Sequence, residues 1–186
     1  MSLTPSTMMP LGTTAPSFEL LDVISGSFKK FNDLKSQHGT VVMFICNHCP
    51  FVKHIQSELF AMAKAYQNKG ISFIAINAND VENYPEDSPE NMKRLSKELN
   101  YELPYLFDET QEVAKAYEAA CTPDFFVFDS NLKCVYRGQF DDSRPGNGVP
   151  VTGADLKDAL EALLHHHPIS SRQKPSIGCN IKWKAK

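Results

Sequence analysis

Three observations predict an α/β fold for this chain, with a sheet covered by helices on both faces. Two β-prone apolar runs, Val41-Val42-Met43-Phe44-Ile45 and Ile71-Ser72-Phe73-Ile74-Ala75-Ile76, have the near-continuous hydrophobicity of strands buried on both sides. Between them Val52, Ile55, Leu59, Met62, Ala63 and Tyr66 recur at helical spacing, so the two strands are joined by a crossover helix and run parallel. Further on, Phe125 to Phe128 and Cys134 to Tyr136 flank the turn residues Asp129-Ser130-Asn131, which makes an antiparallel hairpin that closes the sheet.

The remaining elements follow in order. Phe18-Glu19-Leu20-Leu21 and Phe28-Lys29-Lys30, separated by Ser25-Gly26-Ser27, read as a short N-terminal hairpin. Gly70 stops the crossover helix. After a polar loop from Asn77 to Asp87, Ser88 at the N-cap and Pro89 at the first helical position start a helix with Met92, Leu95 and Leu99 on one side. Tyr105-Leu106-Phe107 is a short strand. Asp108 with Gln111 reads as a capping box before Val113, Ala114 and Tyr117. Thr152 and Asp155 cap a last helix carrying Leu156, Ala159, Leu160, Leu163 and Leu164, and the order becomes β-α-β-α-β-β-α with additions at the front and middle. Residues 1–166 form this domain. Residues 167–186 form a tail with five basic residues (Arg172, Lys174, Lys182, Lys184, Lys186), no acidic ones, and the single tryptophan, Trp183.

Composition narrows the function. At 186 residues, 42% hydrophobic and 22% charged, the chain has the make-up of one globular domain. A net charge of −3 supplies no overall field for nucleic acid or anionic lipid, so neither partner is expected. The apolar run ending at Cys46 is far shorter than the ~20 residues that span a bilayer, and Met1 to Pro10 lacks the pattern of a signal peptide. The expected compartment is the cytoplasm. Five cysteines, an odd number, argue there against a structural disulfide framework.

The tetrapeptide Cys46-Asn47-His48-Cys49 stands where a buried strand ends and a helix begins, and reactive groups in open α/β sheets collect at such strand ends. The spacing puts the cysteines about one helical turn apart, within reach of a disulfide. Unpaired N–H groups and the helix dipole favour an anion there, and thiolates in such places have pKa values as low as ~3.5–7.5. With Cys46 taken at the helix N-terminus, its thiolate attacks a disulfide and Cys49 resolves the intermediate, while His48 stabilises the thiolate when protonated.

Strand, Cys-x-x-Cys and helix together resemble the redox site of the thioredoxin superfamily, and Thr122-Pro123 before the Phe125 strand resembles that fold's cis-proline loop beside the dithiol. Gly12-Thr13-Thr14-Ala15-Pro16-Ser17-Phe18-Glu19-Leu20 resembles the opening of the peroxiredoxin branch, the alkyl hydroperoxide reductase/thiol-specific antioxidant family. The chain also resembles peroxiredoxin-like members with a Cys-Asn-His-Cys-Pro-Phe site and a Gly-Cys-Asn-Ile-Lys-Trp tail, matched here at residues 46–51 and 178–183. The resemblance implies a thioredoxin fold, a mixed central sheet flanked by helices, with an N-terminal hairpin and a C-terminal tail extension. It implies a site of Cys46, Cys49, His48, Thr122, Pro123 and Cys121, with no cofactor and no metal. The implied partners are protein or small-molecule disulfides and thiols, with hydroperoxide as the alternative substrate; a homodimer is compatible with it.

Peroxiredoxins carry Pro-x-x-x-Thr-x-x-Cys. If Cys49 were the peroxide-attacking cysteine, Val42 would stand for the proline and Cys46 for the threonine, and the activating arginine would fall near Pro123, where there is none. Arg137 and Arg144 are the available substitutes. Those departures favour disulfide exchange over peroxide reduction.

Other groups are weighed against plainer roles. The dithiol as half of a zinc site needs further ligands, with His48, His54 and Cys121 at hand but no second Cys-x-x-Cys. Cys121 is either a third redox thiol or a small buried hydrophobe, and Cys134 is core. His165, His166 and His167 fit a helix C-terminus better than a chelate. Cys179 is a resolving thiol on the same or a neighbouring subunit, or passive, and Ile177, Ile181 and Trp183 imply that the tail docks on something.

Overall fold

The computed structural model describes residues 3–185. Its main sheet contains β2 (Glu19–Asp22), β3 (Ser27–Lys30), β4 (Gly39–Phe44), β5 (Ile71–Asn77), β6 (Tyr105–Phe107), β8 (Asp124–Phe128) and β9 (Cys134–Gly138), in the spatial order β3-β2-β6-β5-β4-β8-β9. β4 pairs parallel with β5, and β5 with β6; β8 runs antiparallel to β4, and the β8–β9 hairpin ends the sheet. At the other edge is the expected N-terminal hairpin, with Leu21 opposite Phe28. A second, three-stranded sheet, β1-β10-β7, unites β1 (Leu3–Pro5), β10 (Ile177–Asn180) and β7 (Cys121–Thr122).

The strand period divides the core in two. Val41, Met43, Phe73, Ala75, Phe125 and Val127 face one layer, with α2 (Pro50–Gln67) and α5 (Ala154–Leu164) packed on it. Val42, Phe44, Ile74, Ile76, Phe126 and Phe128 face the other, with Phe31 of α1 (Phe31–Leu34) and Ala114 of α4 (Glu112–Ala116). Alternate residues of a strand point to opposite faces, so each central strand serves both layers and is apolar along most of its length. The six α2 residues expected inward are the ones buried. Gly70, at φ +86°, makes the turn beyond the helix end.

Several local expectations change. α3 (Pro89–Glu98) has its Ser88 cap, whose Oγ accepts from Asn91 N–H, but it buries only Met92 and Ser96; Leu99 is exposed because the helix has already ended. Asp108 and Gln111 form no capping box. Gln111 is itself the N-cap of α4 at φ +64°, and Asp108 Oδ2 accepts from Ala114 N–H one turn further on. The N-cap of α5 is Gly153, at φ +65°, not Thr152 or Asp155. His165 does close that helix, its Nδ1 bonded to Glu161 O at 2.8 Å. Among the described residues no helix is long and apolar enough to cross a membrane.

Candidate active site

β4 delivers the chain to Cys46, and α2 begins at Pro50 with Cys49, not Cys46, as its N-cap. Pro at the first helical position needs no N–H partner, so the helix starts sharply there. Asn47 shapes the intervening turn: Tyr105 OH donates to its Oδ1 at 2.9 Å, and its Nδ2 donates to Glu86 O at 2.8 Å. From β7, Thr122 enters the same space. Its Oγ1 lies 3.4 Å from Cys46 Sγ and its carbonyl oxygen 3.2 Å from Cys49 Sγ, and the Thr122–Pro123 peptide is cis.

The two thiols act on each other, and their acidities separate. The neighbouring Cys46 thiol, helped by Cys179, Thr122 and the Val52 N–H, outweighs burial and lowers the Cys49 pKa to about 4. Cys46 moves the opposite way: the neighbouring Cys49, burial and the charge of Asp87 hold its proton on. The reduced site therefore carries one negative charge, seated on the sulfur at the helix N-cap, where backbone N–H groups face it. When Cys49 is neutral, its proton points to Thr122 O.

His48 does not bond a sulfur. Its Nδ1 lies 2.6 Å from Asp87 Oδ2, and its ring stacks on Tyr84 at 5.6 Å. The hydrogen bond to Asp87 raises the His48 pKa despite partial burial. Asp87 is fully buried; burial alone would raise its pKa, but bonds from His48, Asn79 Nδ2 (2.8 Å) and Asn47 N–H (2.7 Å) leave it lowered. Sequence reasoning missed Asp87 and Asn79. Their only signal was a run of Asn and Asp in the 77–87 loop, which does not say which one faces the dithiol.

Cys121 and Thr122 are neighbours on β7 and so point opposite ways. Thr122 faces the dithiol, whereas Cys121 Sγ turns to Pro123 O at 3.7 Å and burial raises its pKa. The third sulfur at the site is Cys179, 3.0 Å from Cys49. Cys134 is buried in β9, as expected of core. Cys46, His48 and Asp87 also form a possible metal-ligand set, their ligand atoms within 4.8 Å of one another. Tetrahedral zinc ligands at 2.0–2.2 Å from the metal stand about 3.3 Å apart. The 2.6 Å between His48 and Asp87 is hydrogen-bond spacing, and both Asp87 oxygens already accept bonds. His54 lies on Ser143 Oγ at 2.7 Å.

The AhpC/TSA family profile matches residues 11–137, two thirds of the chain. The chain belongs to the AhpC/TSA family. No curated protein matches this AhpC/TSA chain. It is 62% identical to an uncharacterised conserved protein from Geobacillus kaustophilus, covering 100% of this chain and 98% of that one with a TM-score of 0.98. It is 46% identical to a hypothetical protein from Sinorhizobium meliloti 1021, covering 98% and 100% with a TM-score of 0.95. The thioredoxin domain of a thiol-disulfide oxidoreductase from Bacteroides vulgatus shares its fold at 17% identity, covering 82% and 99% with a TM-score of 0.64. This AhpC/TSA protein thus has a thioredoxin-type fold in the peroxiredoxin-like branch, as the sequence motifs imply.

Proposed function

We propose that the protein is a thiol-disulfide oxidoreductase that works through Cys46 and Cys49. One observation carries this reading: Cys46 and Cys49 stand between the end of β4 and the N-terminus of α2, with both sulfurs within 3.4 Å of Thr122 beside the Thr122–Pro123 peptide. Cys46 keeps 3% of its surface and Cys49 none, so Cys46 meets the substrate. Cys46 passes its proton to the neighbouring Cys49, and its thiolate attacks one sulfur of a disulfide R–S–S–R′. A Cys46–R disulfide forms, and R′–S⁻ leaves and takes the proton from Cys49. Cys49, again a thiolate, attacks the Cys46 sulfur and closes the Cys46–Cys49 bond, and R–S⁻ departs. The protein dithiol is oxidised and the substrate disulfide reduced. Because a stable thiolate favours the reduced form, the couple lies toward the oxidising end of dithiol potentials.

The low pKa of Cys49 also suits a peroxide-attacking cysteine, as in a thiol peroxidase of this family. Against that reading, Arg137 is bonded to Met9 O and Gln173 Oε1, and Arg144 to Asp141 O, Ser143 O and Gln139 Oε1. Both guanidinium groups are held by these oxygens, which argues against either one supplying the donor that stabilises a leaving oxygen.

Reaction of the reduced protein with oxidised glutathione separates the two. Exchange predicts that Cys49→Ser accumulates a glutathione adduct on Cys46, identified by peptide mass, and that Cys46→Ser reacts far more slowly. Rapid oxidation by hydrogen peroxide that survives Cys46→Ser and is lost in Cys49→Ser would establish the peroxidase instead.

A further inference from the structure

The C-terminal tail enters the site as a strand. β10 lies between β1 and β7 with Cys179 opposite Thr122 and Asn180 opposite Cys121, which puts the Cys179 sulfur 3.0 Å from Cys49. This approach depends on the residue before it. A Cβ on Gly178 would stand 2.0 Å from Thr122 O and 2.7 Å from its carbonyl carbon, backbone atoms that have no rotamer to yield. The tail is then tied beyond the cysteine. Ile181 N–H donates to Ala120 O at 3.0 Å, Lys182 N–H to Asn79 Oδ1 at 2.8 Å, and Gln111 Nε2 to Lys182 O at 2.8 Å. Asn79 also holds Asp87, so the tail and the His48 side of the site share a residue.

We propose that Cys179 is a third redox thiol, to which the disulfide moves from Cys46–Cys49 to become Cys49–Cys179. The inference rests on the dithiol reading above. The Cys179 sulfur releases its proton and attacks Cys49 Sγ; the Cys46–Cys49 bond breaks, and Cys46 leaves with the electron pair and takes up the proton. No electrons enter or leave the protein. In the reduced site Cys179 holds its proton to about 12, through burial and the hydrogen bond and charge of Cys49. Once Cys49 is in a disulfide, that charge is gone and the Lys182 ammonium still favours a Cys179 thiolate. The result is an oxidised protein in which Cys46 is again a thiol, with the N-terminus of α2 bonded to β10.

Equilibration in glutathione buffers of graded composition, followed by acid quench, alkylation and peptide mapping, tests this. Wild type is expected to hold both disulfides in a ratio that is the same at every glutathione ratio, since an isomerisation moves no electrons. Gly178→Ala, which changes no thiol, is expected to lower the Cys49–Cys179 share by about tenfold or more. Cys46→Ser is expected to close Cys49–Cys179. Wild type with Cys46–Cys49 alone, together with a Cys46→Ser protein holding only glutathione adducts, overturns this inference and leaves the exchange reading intact. Absence of both disulfides from wild type overturns both.

Discussion

The acidity of Cys49 has a consequence for stability that can be measured without any substrate. In the folded, reduced protein the thiol titrates at about 4, against about 8.5 in an unfolded chain. Between those values the folded state binds one proton fewer, so stability rises with pH by about 1.4 kcal/mol per unit, toward an upper figure of about 6 kcal/mol. The contribution is fully present above about pH 8.5 and is lost as pH falls to about 4. Asp124 works against it. This buried carboxyl, raised to about 7 by burial, contributes stability below about pH 3.9 that is lost as pH rises through its folded value, so wild type alone hides the Cys49 slope. The difference between wild type and Cys49→Ser removes Asp124, which both carry. Urea unfolding of both proteins under reductant, at pH steps from about 5 to 8, should give a stability difference that grows in favour of wild type by about 1.4 kcal/mol per unit. A flat difference, or thiolate absorbance that titrates near 8.5, refutes the seat of the charge on Cys49.

Two further outcomes follow from the same contacts. Asp87→Asn removes the carboxylate bonded to His48, so the His48 imidazole, followed by NMR against pH, should titrate lower than in wild type; an unchanged midpoint would show that Asp87 does not hold the proton there. Gly153→Ala forces a side chain into a φ of +65° and sets its Cβ 2.3 Å from Met62 Cε and 2.6 Å from Phe140 Cζ, so it should cost about 1–3 kcal/mol in denaturant unfolding, and a loss under ~0.5 kcal/mol contradicts that packing.

The fold was legible because each element announces itself locally. β4 and β5 are apolar through Val41–Phe44 and Phe73–Ile76 since both faces are covered, α2 repeats its buried residues at its own period, and Ser88-Pro89 is a favoured helix start. Cys46 and Cys49 were legible for the same reason, being a short-range pattern at a strand–helix junction. The caps at Gln111 and Gly153 were not, because both are set by a positive φ that the surrounding packing imposes and neighbouring residue types do not signal.

The sequence alone determined that two thiols would sit at the end of a buried strand. Only the tertiary structure decided which of them carries the charge, and what else meets them. Asp87 reaches His48 across 39 residues, and Cys179 reaches Cys49 across 130. Such meetings depend on the register of β10 against β7 and on a loop folded over the strand ends, and these are fixed by packing that no local period records.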